Sequence, residues 1–183
     1  METAKNPREE FMITRVFEAP RDLLWQAWTD PETVKKWWGP KLFTASVIKM
    51  DVREGGTYLG CLRGPDGRDY WSGGTYREVV SQERIVAADH FADAKGNYVP
   101  ASYYGMPGDA PQEQMVAVEF HDLGGKTRMT LHVSGMVPGQ MTDMAVAGWN
   151  ESFDKLAAHL AAAQSRQGAD LKLGPVLRMN FDR

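Results

Sequence analysis

Apolar and polar positions alternate from residue 11 to 18. Phe11, Ile13 and Phe17 fall on one side, Thr14 and Glu18 on the other, which predicts a first strand. The spacing then turns helical. Pro20 stands where a helix can begin, and Leu23, Leu24, Ala27 and Trp28 recur on one face. Asp30-Pro31-Glu32 repeats the start signal: Asp30 can cap free amides, Pro31 has no N–H to lose, and Glu32 suits the positive end of the dipole. This second short helix runs into Trp37-Trp38 and stops at Gly39-Pro40.

Strand signals follow over 42–52, 57–63, 70–80 and 83–91, rich in β-branched and aromatic residues. The short connectors between them, Glu54-Gly55-Gly56, Gly64-Pro65-Asp66-Gly67 and Ser81-Gln82, favour antiparallel hairpins. A last hairpin, 113–122 with 126–135, turns around Leu123-Gly124-Gly125. Between these groups, 92–112 carries Pro100, Pro107 and Pro111 and is too long for a plain turn; loops of that kind are often functional. The chain then holds one long helix, 141–164. Its inner face collects Met141, Met144, Ala145, Gly148, Trp149, Ser152, Phe153, Leu156, Leu160 and Ala163. A twisted sheet must cover its apolar face, and this helix is the element able to do so. The expected fold class is therefore α+β, a curved antiparallel sheet wrapped around a long C-terminal helix, with two short helices after the first strand. Residues 1–10 read as a frayed N-terminus, 11–164 as one domain, and 165–183 as a tail. Leu171, Leu173, Val176, Leu177 and Phe181 suggest that this tail docks on something.

Composition narrows the classes of function. An apolar share of 43% with 25% charged residues is that of an ordinary globular chain. The net charge of −3 supplies no electrostatic reason for nucleic acid or an anionic membrane, and no apolar run suffices for membrane insertion. A lone cysteine, Cys61, forbids an intrachain disulfide and points to the cytoplasm. Ten methionines and six tryptophans suit an irregular apolar interior, whether it is core or pocket.

Several segments resemble a known family: 13–20 (Ile-Thr-Arg-Val-Phe-Glu-Ala-Pro), 25–31 (Trp-Gln-Ala-Trp-Thr-Asp-Pro), Trp37-Trp38-Gly39-Pro40, 63–67 (Arg-Gly-Pro-Asp-Gly) and Gly148-Trp149-Asn150. In that order they look like the bacterial family named after the activator of the heat-shock-protein-90 ATPase, of the SRPBCC superfamily with START domains, polyketide cyclases and the birch-pollen allergen. The resemblance implies a helix-grip fold with a cavity between sheet and helix. It implies much less about activity, since members range from lipid carriers to cyclases and chaperone regulators. Gly60 stands where relatives often carry a bulky residue, which could enlarge the cavity.

The expected ligand contacts are Trp38, Tyr58, Tyr76, Met141, Met144, Ala145, Gly148, Trp149 and Ser152, with Tyr103, Tyr104 and Met106 as a lid. Several also have a structural reading: Gly148 could admit a close-packed strand or tryptophan, Tyr58 and Tyr76 could be cross-strand packing, and Tyr103, Tyr104 and Met106 could simply anchor the loop. No nucleophile elbow, phosphate loop or zinc motif is present. Strand parity turns His121 and His132 outward, away from a shared metal site with His90, and Cys61 reads as an inert buried thiol. Asp51 and Glu119 read as surface charges. The expectation is a module binding a small apolar or amphipathic molecule, without cofactor or metal. The alternatives are a cyclase- or dehydratase-type enzyme, whose acid or base no residue pattern identifies, and a chaperone-regulating domain. The tail leaves a homodimer open.

Overall fold

The computed structural model describes residues 8–106, 113–136 and 139–173. A seven-stranded antiparallel sheet runs in the order β1-β7-β6-β5-β4-β3-β2. Its strands are β1 (Glu9–Phe17), β2 (Thr44–Met50), β3 (Thr57–Arg63), β4 (Asp69–Val80), β5 (Arg84–Ala92), β6 (Gln114–Asp122) and β7 (Thr127–Met136). From β2 onward each strand pairs with the next, through short turns except between β5 and β6, which the long 93–113 segment joins. Strands β1 and β2 are consecutive yet occupy opposite edges, because two helices carry the chain across between them.

Those helices are α1 (Arg21–Thr29) and α2 (Pro31–Trp37). The Asp30 carboxylate accepts from the Thr33 amide at 2.8 Å and caps α2, with Pro31 at the first helical position. The Trp37 indole donates to the Ala27 carbonyl at 2.9 Å, fastening α2 to α1. Gly39 then takes φ +106, a left-handed conformation that ends the helical path.

The long helix α3 (Gln140–Leu173) lies in the concave side of the sheet. Phe153, Leu156 and Leu160 are fully buried against Phe17, Leu24, Trp37 and Leu131, forming a closed core under the middle of α3. The helix continues past the expected end at 164, so the first part of the tail is helical. Alanine, glutamine, arginine and lysine are good helix formers, and Gly168 costs the helix only about 1 kcal/mol. At the other terminus Glu9 and Glu10 join β1 rather than fraying, paired with Met136 and Ser134. Val176, Leu177 and Phe181 of the tail, and Pro107 and Pro111 of the proline-rich stretch, lie outside the described residues.

Candidate functional site

A cavity of about 450 Å³ opens between the sheet and the N-terminal half of α3. Small and flexible side chains leave it unfilled: Met141, Met144, Ala145 and Gly148 line it from the helix, with Trp149 at its inner end. Trp149 stacks on Trp28 at 6.1 Å and meets Phe153 at 5.6 Å, so it marks the boundary between cavity and core. Met144 is 61% exposed although it lines the cavity, which puts it at the rim. Across from the helix the sheet presents alternate residues: Tyr58 of β3, Ser72 and Tyr76 of β4, and Ile85, Ala87 and Asp89 of β5.

Asp89 is the polar centre of this surface. Tyr58 donates its hydroxyl to Asp89 Oδ2 at 2.6 Å, and Gln114 donates Nε2 to Oδ1 at 3.0 Å. The register explains how they meet. Tyr58 pairs with Gly74, Gly74 with Asp89, and Asp89 with Gln114, making one row across four strands. Strands β3 and β5 lie about 10 Å apart, so the phenol must cross β4 to reach Asp89. Gly74 makes that crossing possible: a Cβ there would lie 2.7 Å from the Tyr58 hydroxyl oxygen and 2.8 Å from Cζ. Burial pushes the Asp89 carboxyl above the usual carboxylate range, and the bonds from Tyr58 and Gln114 offset this only in part. Burial, then the neighbouring Asp89 charge, raises the Tyr58 phenol well above an ordinary tyrosine. Burial, then Asp51, raises Tyr76, whose ring lies 5.3 Å from that of Tyr58.

Sequence reasoning overlooked Asp89, Gln114 and Gly74. A signal was there: Ile85, Ala87, Asp89 and Phe91 share one strand face, so an acid stood within an apolar series.

Two other expected features take different roles. Gly60 lines the cavity, and Trp38 packs on its open side, since a Cβ there would lie 2.4 Å from Trp38 Cζ3. Trp38 therefore lies over Gly60 while lining the cavity. The Ser152 hydroxyl also lines it, but it donates to Gly148 O at 2.9 Å and accepts from the Gly39 amide at 3.1 Å. Ser152 thus pins the turn after α2 to α3, and Lys155 reinforces it by donating to the carbonyls of Gly39, Pro40 and Phe43.

Of the expected lid residues, Met106 lines the cavity, whereas Tyr103 and Tyr104 are absent from its lining. Tyr104 is buried one layer behind, against Phe91 and Tyr70, and its hydroxyl donates to Ala92 O at 2.5 Å while accepting from Trp71 N. A side chain held by the main chain in this way anchors a loop. Tyr103 is 60% exposed, edge-on to Tyr104. His132 meets Glu10 on the outer surface at 2.9 Å, and Cys61 is buried, with burial pushing its thiol up. Among the described residues, no group of three or more His, Cys, Asp and Glu could hold a metal ion, and no helix is long and apolar enough to cross a membrane.

A curled antiparallel sheet gripping a long terminal helix, with a cavity between them, defines the helix-grip class of α+β proteins. The chain belongs to the Activator of Hsp90 ATPase homolog 1-like protein family, whose model matches residues 18–161, and it has the SRPBCC fold. The chain is similar to a Chromobacterium violaceum protein of known crystal structure, 27% identical, over 82% of this chain and 96% of that one with a TM-score of 0.67. An Arthrobacter aurescens protein solved by NMR is 25% identical, over 84% and 86% of the two chains, with a TM-score of 0.70. The AHSA1 protein of Silicibacter pomeroyi, 19% identical over 85% and 99% with a TM-score of 0.67, shares the fold. No curated protein matches the chain.

Proposed function

We propose that this protein binds a small, largely apolar molecule in the cavity between sheet and helix. One observation carries the reading: about 450 Å³ of space, walled mostly by Trp, Met and aliphatic side chains, surrounds a single carboxylate held by two donors. Apolar walls would supply affinity and the Tyr58–Asp89–Gln114 row would supply orientation. The SRPBCC fold, which commonly holds ligands in such a cavity, supports this reading.

Titration with the neutral probe N-phenyl-1-naphthylamine tests it. Saturable one-to-one binding is expected, with Gly148→Leu abolishing it in a protein of unchanged circular dichroism. Gly148 lines the cavity, and its Cβ position is already 3.3 Å from Pro40 Cγ, so a leucine must extend into the free space. Absence of saturable binding to the natural chain refutes the proposal. Native mass spectrometry of freshly purified protein would reveal a retained natural ligand.

A second reading, an enzyme of the cyclase or dehydratase type, is favoured by the same Asp89. Such an enzyme needs an interior acid or base, and a carboxyl raised by burial beside a phenol is one. Absence of turnover of any bound cavity ligand would exclude it, and turnover that survives Tyr58→Phe and Asp89→Asn together would exclude this pair as its acid or base.

A further inference from the structure

Among the described residues the cavity wall carries one carboxylate, Asp89, beside one imidazole, His90, and no lysine or arginine lines it. The groups acting on Asp89 come from the sheet: Tyr58 from β3, His90 beside it on β5 and Gln114 from β6, while Tyr76 of β4 and Glu113 act on Tyr58. Helices α2 and α3 contribute no ionisable side chain to the lining. Both hydrogen-bond partners of Asp89 are neutral donors.

A carboxylate has about four acceptor sites, and Tyr58 and Gln114 occupy two of them. The remainder faces a space lined by the rings of Trp28, Trp38, Trp149, Tyr58 and Tyr76. Ring faces attract cations and repel anions. A neutral guest would strip water from Asp89 and leave its charge unpaired, while an anionic guest would add repulsion. An ammonium group answers both features at once, since it donates to the carboxylate and rests against the rings.

We infer that the cavity is built for a lipophilic amine, an apolar molecule whose protonated nitrogen pairs with Asp89 between the aromatic walls. This assignment rests on the cavity-binding reading above and names its ligand class. Burial is what keeps Asp89 reluctant to ionise in the empty protein, and a bound ammonium reverses that preference. Amine binding therefore draws a proton off Asp89 wherever the empty site still holds one.

Isothermal titration calorimetry of the full chain with three matched probes tests the inference: 4-phenylbutylamine, 4-phenylbutanol and 4-phenylbutyrate. At about pH 7 the amine should bind at least about ten-fold tighter than the alcohol, with the acid weakest. Asp89→Asn should bring amine and alcohol within about two-fold of each other while the alcohol keeps its affinity; Glu113→Gln should preserve the advantage. If Asp89→Asn fails to fold, the natural chain carries the test. Its amine advantage should shrink as the pH is lowered through the titration of Asp89, because the amine stays charged while the carboxyl becomes neutral. An amine no tighter than the alcohol, a preference for the acid, or an advantage that survives Asp89→Asn overturns the inference and leaves cavity binding intact. Failure of all three probes together with N-phenyl-1-naphthylamine overturns both.

Discussion

Tyr58→Phe removes one oxygen and keeps the ring, which makes it a clean probe of the polar row. The lost bond is the 2.6 Å donation to Asp89, after which the carboxyl retains only the Gln114 donor at 3.0 Å. A hydrogen bond to a charged group contributes about 1.5–3 kcal/mol, against roughly 1 kcal/mol for a neutral pair. The cavity beside Asp89 can admit water into the vacated space, which favours the lower half of that range. Above the pH at which Asp89 ionises, the substitution should therefore cost about 1.5–2 kcal/mol. Once the pH is low enough to protonate Asp89, the bond is no longer charge-assisted, and the cost should fall to about 1 kcal/mol or less. The phenol adds no titration of its own over this window, since burial and Asp89 raise it far above the range. Urea denaturation at both pH values, with an unchanged m-value, reads the difference. A cost below about 0.5 kcal/mol, the same at both, would mean that Tyr58 and Asp89 do not share a proton-linked bond.

Removing the charge should stabilise the empty protein: Asp89→Asn is expected to raise the urea midpoint at neutral pH. The folded-state carboxyl is raised, so the natural chain loses stability as pH climbs from the unfolded value of about 3.9 through the folded one, and the variant's gain should disappear at acid pH. Equal gains at all pH values would contradict the burial of the charge. Gly60→Ala must displace Trp38, 2.4 Å from the new Cβ, and should cost about 1–3 kcal/mol with an altered near-ultraviolet circular dichroism spectrum. Tyr104→Phe removes the bonds to Ala92 O and Trp71 N and should cost about 1–3 kcal/mol, whereas Tyr103→Ala should stay within about 0.5 kcal/mol. Thermal melts of the two variants that coincide would refute the assignment of Tyr104 as the anchor.

Much of the architecture was written locally. Apolar alternation from Phe11 onward, Asp30 and Pro31 at the start of α2, glycine-rich turns between strands, and the apolar face around Phe153 and Leu156 each report on neighbours a few residues away. Such signals survive in a linear reading because hydrogen bonding and side-chain periodicity within an element span only that distance. The family resemblance placed these elements in one fold; Met141, Met144, Ala145, Gly148 and Trp149 line the cavity, and Phe153, Leu156 and Leu160 pack beneath it.

The chemistry of the site was decided elsewhere. Tyr58, Gly74, Asp89 and Gln114 are distant in sequence and become one row only through the pairing registers of four strands. A shift of one residue in any of those pairings would turn Asp89 to the other face or away from its donors. The same holds for Trp38 over Gly60 and for Ser152, whose hydroxyl reads as a ligand contact until the Gly39 amide is seen to claim it. Local sequence determined which residues alternate and where helices begin. The tertiary register determined which carboxyl is buried with only neutral hydrogen-bond donors, because burial and pairing are properties of the assembled sheet and helix.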